Sequence, residues 1–195
     1  MAVRSFDSPD RRVPGALTIA HPAERHALRH RLVVVAPCTV AAVRFAGGFL
    51  FDRVMAGWEA IVLVADQPDS RPLRILGART TDLETAFSAP PSGRRPQAIA
   101  VEAGLYGADG RIRRVVREAL DEGTTEVRVW GDGWPADLDG SGGPVQHRLS
   151  VAARAFKAQA LAAAAAPADP VEVTETFRGG EPPRLARTPH LTPVS

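Results

Sequence analysis

Between Arg31 and Asp66 the spacing of apolar residues changes twice. Leu32, Val33, Val34, Val35 and Ala36 form an unbroken apolar run of strand length, which Pro37, Cys38 and Thr39 interrupt. Val40, Val43, Phe49, Leu50 and Val54 then recur at roughly helical spacing, with Ala41, Ala42 and Ala46 between them. Ala60 to Ala65 is a second continuous apolar run. A buried strand, a covering helix and a second buried strand make a βαβ unit, which requires a parallel pair. Gly57 is placed to stop the helix as its C′ residue. Gly47 and Gly48 sit inside it, where each costs about 1 kcal/mol against Ala. Their presence predicts close packing of this helix on the sheet.

Further on, Arg71 to Ala78, with Leu73, Ile75 and Leu76, reads as a third strand. The turn around Pro68 is too short for a crossover helix, so this strand is expected to run antiparallel to the second or to continue it after a kink. Thr81 to Phe87 reads as a helical turn, Ser88 to Pro96 as a loop and Ala98 to Ala103 as a fourth strand. Asp109 is an N-cap candidate for a helix through Ile112, Val115, Val116 and Leu120, which Gly123 ends. Glu126 to Trp130 alternates as a fifth strand. A Gly/Asp loop from Gly131 to Gly143 leads to a last helix over Val145 to Ala166, ended by Pro167.

These elements predict the α/β class: a three-layer, Rossmann-like domain on a mostly parallel sheet of about five strands, mixed where the strands flank Pro68. The polar first residues, 1–15, read as a flexible arm, and 16–166 as one domain, with Pro22 to Arg31 forming a short helix. Residues 167–195, dominated by Pro, Glu, Thr, Arg and Gly, read as a disordered tail. No internal repeat is visible. The opening unit resembles Rossmann-type units in general, a likeness of architecture that names no ligand.

Composition narrows the function classes. A chain of 195 residues can bury a full core. The net charge is only +2 although the sequence pI is about 9.3, because the cations are nearly all Arg and Lys157 is the only lysine. That charge is too small to argue for nucleic acid, no aromatic residues interleave the Arg cluster at 25–31, and Arg111, Arg113, Arg114 and Arg117 read as the solvated face of a helix. Cys38 is the only cysteine, which excludes an intrachain disulfide. The first residues lack the apolar stretch of a signal peptide. The run from Val40 to Met55 is broken by Arg44, Asp52 and Arg53, so it is no membrane span. The cytoplasm follows as the default compartment.

Candidate chemistry gathers where the strands end. Cys38 and Thr39 stand at the start of the first long helix, where backbone N–H groups favour an anion and the thiol is a candidate nucleophile. Neither a Gly-x-Gly-x-x-Gly nor a Gly-Lys-Ser/Thr fingerprint follows, so dinucleotide and P-loop sites are not indicated and no cofactor is named. Asp66, Glu102 and Asp132 each end a predicted strand, and Trp134 could wall a pocket beside them. Asp137, Asp139, Ser141 and Gly142 match positions of an EF-hand loop, but Arg148 replaces its closing Glu and no helix precedes it. His26 and His30 are spaced to share a helix face without a third ligand, so no metal site is predicted. Without an intact catalytic motif, the expectation is a module that binds an unidentified small molecule or protein. The alternatives are an enzyme with its site around Cys38 and an Arg-mediated nucleic-acid binder.

Overall fold

The structure, a computed structural model, describes residues 30–66, 69–89, 95–138, 142–166 and 170–180. The two apolar runs form β1 (Arg31–Ala36) and β2 (Glu59–Val64), paired in parallel with Val34 opposite Val62. The helix between them, α1 (Thr39–Met55), encloses Ala42, Val43, Ala46, Phe49 and Leu50 completely. A helix this apolar must be covered on its outer side as well as against the sheet. From β2 the chain passes through α2 (Ser70–Ile75) to β3 (Arg79–Asp82), and then through α3 (Leu83–Ser88) to β4 (Ala98–Glu102). The helices α4 (Ala103–Ala108) and α5 (Gly110–Glu122) lead to β5 (Glu126–Trp130). A 3-10 turn at Ala136–Leu138 precedes β6 (Gly143–Arg148), α6 (Val151–Ala163) and β7 (Thr174–Gly180).

The strands make one seven-stranded mixed sheet in the order β3-β2-β1-β4-β5-β7-β6. The first five are parallel; β7 runs antiparallel to β5, and β6 antiparallel to β7 at the edge. Alternate residues of each strand enter two cores. Leu32, Val34, Val62 and Ala100 pack beneath α1, α2 and α6, and Val33, Val35, Leu63 and Val129 beneath α3, α4 and α5. The α/β class and the helices on both faces agree with the sequence reading.

Three expectations are corrected. The stretch read as a third strand is the helix α2, which serves as the crossover to β3. Asp69 caps it by accepting the Arg71 N–H at 3.0 Å. Pro72 falls in the first turn, where a missing N–H leaves no bond unmade. Gly77, at φ +76°, closes the helix, so the link past Pro68 is long enough after all. Second, the predicted last helix begins late. Residues 143–148 are the exposed edge strand β6, with Pro144 where an edge tolerates it, and Ser150 starts α6 by accepting the Ala153 N–H at 3.0 Å. Third, residues 174–180 of the supposed disordered tail form β7, in which Phe177 is 1% exposed. The sheet therefore has seven strands rather than five, and its antiparallel members lie at the β5 side, not around Pro68. The predicted helix at Pro22 and the arm at 1–15 lie outside the described residues.

Gly48 explains how α1 is covered. A Cβ there would come within 2.3 Å of the Leu149 side chain. A Cβ on Gly47 would meet Leu76 at 3.3 Å and Lys157 at 3.5 Å. The paired glycines are packing glycines, but they admit α2, Leu149 and α6 rather than the sheet.

Candidate functional site

The chain leaves β1 toward β2 and β3 on one side and later lays β4 and β5 on the other. At the adjacent carboxyl ends of β1 and β4 the connections diverge, α1 to one face of the sheet and α4 to the other. A crevice at such a switch point is where open α/β sheets bind ligands.

Cys38 borders it, half-buried, as the N-cap residue of α1. Its side chain makes no capping hydrogen bond, and the first helical bond is from the Ala42 N–H to the Cys38 carbonyl at 3.1 Å. The N–H groups of Thr39, Val40 and Ala41 precede that bond and have no intrahelical acceptor. Thr39 is buried, and its hydroxyl donates to the Asp69 carbonyl at 3.1 Å, tying the start of α1 to that of α2. Asp66 is brought alongside: its backbone N–H donates to the Pro37 carbonyl at 3.0 Å while the residue is exposed.

Across the switch point, the Glu102 carboxylate accepts the N–H groups of Gly104 and Leu105 at 2.9 and 2.7 Å, so it is the N-cap of α4. A Cβ on Gly131 would stand 3.0 Å from Glu102 Oε1, which places the loop after β5 against this carboxylate. Asp132 follows, exposed. Trp134 is half-buried against the second core, with the Arg178 guanidinium 4.5 Å from its ring centroid. The predicted residues thus fall into two neighbourhoods on one edge: Cys38, Thr39 and Asp66 beyond β1 and β2, and Glu102, Asp132 and Trp134 beyond β4 and β5.

Other sequence candidates are engaged elsewhere. Asp137, the first position of the EF-hand match, accepts the Tyr106 hydroxyl at 2.7 Å and an Arg117 N–H at 2.8 Å. The hydrogen bond from Tyr106 and then that from Arg117 hold the Asp137 carboxyl below its ordinary value. Burial, together with the hydrogen bond to Asp137, pushes the Tyr106 phenol up. Asp139 and Ser141 lie outside the described residues, as does His26. Among the described residues, no three His, Cys, Asp or Glu side chains gather as a metal site. His147 and Ser150 meet on Asp52, at 2.8 Å to His147 Nε2 and 2.6 Å from the Ser150 hydroxyl. The carboxylate stands between the other two, so the serine meets the carboxylate and not the imidazole, and the set is not a catalytic triad.

Two features escaped the sequence reading. The indole N–H groups of Trp130 and Trp134, on β5 and the loop after it, are buried without an acceptor among the described residues. In addition, Lys157 and Glu175 form a buried ion pair at 2.7 Å, with side chains 5% and 3% exposed. Lys157 could have been noticed as the only lysine in an Arg-rich chain.

No family model and no curated protein matches the sequence. A solved structure does share its fold. The A40926 pseudoaglycone deacetylase Dbv21 is 16% identical, with 77% of this chain and 97% of that one covered, at a TM-score of 0.50. A deacetylase of teicoplanin biosynthesis, in complex with teicoplanin, is also 16% identical over 76% of this chain and 97% of that one, at a TM-score of 0.47. The expectation of a non-catalytic binding module is corrected by this finding, since the Dbv21 structure with which the chain shares its fold is that of a deacetylase. Of the arginines behind the nucleic-acid alternative, those at 11, 12, 25 and 29 lie outside the described residues, and Arg31 pairs with Glu59 at 3.0 Å. Among the described residues, no helix is long and apolar enough to cross a membrane.

Proposed function

We propose that the protein is an enzyme acting on an acylated small molecule in the crevice between the carboxyl ends of β1 and β4. The observation that carries this reading is the position of Cys38 and Glu102 on the two diverging connections of that switch point. The fold shared with a deacetylase supports the reaction class.

Cys38 supplies the nucleophile. Its thiol gives up its proton to solvent as the sulfur adds to the carbonyl carbon of a substrate amide, and the carbonyl oxygen accepts from the N–H groups at the start of α1. The C–N bond breaks and the amine leaves with a proton from solvent. Water then cleaves the thioester, releasing the acid and restoring the thiol. Thr39 holds the helix start in place through Asp69. Exposed Asp66 and Asp132 face polar substrate groups, and Trp134 gives an apolar wall. A Rossmann-like ordering of the parallel strands and a reducing cytoplasm, in which a free thiol persists, both fit this reading.

The test is release of acetate from a panel of N-acetylated amino sugars and amino acids. Release by the natural protein and its loss in Cys38→Ala are expected. No release from any substrate, or full activity in Cys38→Ala, overturns the proposal.

A further inference from the structure

A pocket of about 360 Å³ lies between α1, α6 and the segment leading into β7, away from the residues at the crevice. That volume falls in the range of small-molecule sites. Among its lining residues are Lys157 and Glu175, both buried. Both oxygens of Glu175 are engaged: they accept the N–H groups of Gly48 and Phe49, each at 2.8 Å, and the Lys157 ammonium at 2.7 Å. Lys157 is less fully engaged. An ammonium carries three protons, and among the described residues Glu175 is its one hydrogen-bond partner. Lys157, a lining residue of the pocket, is therefore buried with two ammonium protons lacking an acceptor among the described residues, a costly state that an acceptor from a ligand would relieve.

The surroundings say which acceptor. The Lys157 charge is already matched by Glu175, and Arg44 and Glu172, also in the lining, carry opposite signs. A ligand carboxylate on Lys157 would lie beside the Glu175 carboxylate with no surplus cation to offset the repulsion. A neutral carbonyl oxygen meets no such penalty. The remaining wall is apolar, with Phe45, Leu161 and Val171, and Phe45 is 47% exposed although it is a large aromatic.

We infer that this pocket binds a neutral amide with a short alkyl chain, its carbonyl oxygen accepting from Lys157 and its chain lying against Phe45, Leu161 and Val171. The inference stands apart from the proposed reaction at Cys38 and requires no turnover.

The single lysine makes the test direct. Full-length protein carrying 13C-labelled lysine gives one Lys157 side-chain signal set, which is followed during titration with hexanamide and, separately, with hexanoate. A saturable shift with hexanamide, and a much weaker one with hexanoate, is expected. Phe45→Ala, at a half-exposed position that leaves the core intact, should weaken hexanamide binding about tenfold by removing apolar contact. An unmoved Lys157 signal, equal response to the two compounds, or an unchanged affinity in Phe45→Ala overturns the inference. Because the readout is binding, Cys38→Ala should respond as the natural protein does, even if the catalytic reading fails.

Discussion

At Glu175 a carboxylate on a side chain 3% exposed holds two amides of α1 and the ammonium of α6, so one side chain joins β7 to two helices. Removing one partner of a buried pair strands the other charge, which typically costs about 3–5 kcal/mol. Glu175→Ala should lose stability of that order in urea unfolding. Glu175→Ala with Lys157→Met should recover part of it, because the stranded ammonium is then gone. Asp52 is a second anchor between α1 and the start of α6. Burial opposes its charge, yet hydrogen bonds from Ser150 and His147 outweigh burial and hold its carboxyl below the ordinary 3.8. A carboxyl whose pKa is lowered by folding contributes stability above its unfolded pKa and loses it as the pH falls through the folded value. Asp52→Asn should therefore be less stable at pH 6, by about 1–3 kcal/mol for the hydrogen bonds weakened. The gap should narrow below pH 4, which unfolding curves at the two pH values will show. The residues of these anchors are far apart in sequence: 48 with 175, and 52 with 147. No local pattern announced them.

Elements show where local signals were sufficient. In α5, Asp109 accepts the Arg111 N–H at 2.8 Å, Ile112, Val115, Val116 and Ala119 are buried, and Gly123 ends the helix at φ +59°. Cap, stripe and stop are all adjacent in sequence, so the helix could be read correctly. The αL position of Gly123 should make Gly123→Ala lose about 1 kcal/mol, seen as a lower Tm. In α1 the helix was legible, but what its glycines faced was not. Gly48→Ala should destabilise by about 1–3 kcal/mol through overpacking against Leu149, and Leu149→Ala in the same chain should relieve the clash. A purely helical penalty for glycine would instead make Gly48→Ala stabilising, so the sign of the change in Tm decides the matter. In β7, Glu175 and Phe177 alternate inward with Thr174, Thr176 and Arg178 between them, a period of two that the polar composition of the region hid.

For the whole molecule, β7 is the joint between the parallel strands and the edge strand β6. At Gly179, which has φ +145°, a Cβ would lie 2.0 Å from the Val127 carbonyl oxygen, so only glycine permits the close approach of β7 to β5. Ending the chain before Thr174 would bare the edge of β5 and empty the space of Phe177. Compared with a chain ending after Gly180, it should melt at least about 10 °C lower. Equal melting curves would mean that β7 adds nothing to the fold. The sequence by itself determined the βαβ unit, the α/β class, the strands β4 and β5, the helix between them and the edge on which Cys38, Asp66, Glu102 and Asp132 stand. Each of those follows from periodicity and capping within a short window. Tertiary structure alone decided that α2 is a helix against the apparent alternation of its apolar residues, that β6 and β7 complete the sheet, that Cys38 and Glu102 flank a switch point, and that Lys157 meets Glu175. Those outcomes depend on which distant groups satisfy a buried amide, fill a space beside a glycine or neutralise a charge, and chain spacing carries no record of them.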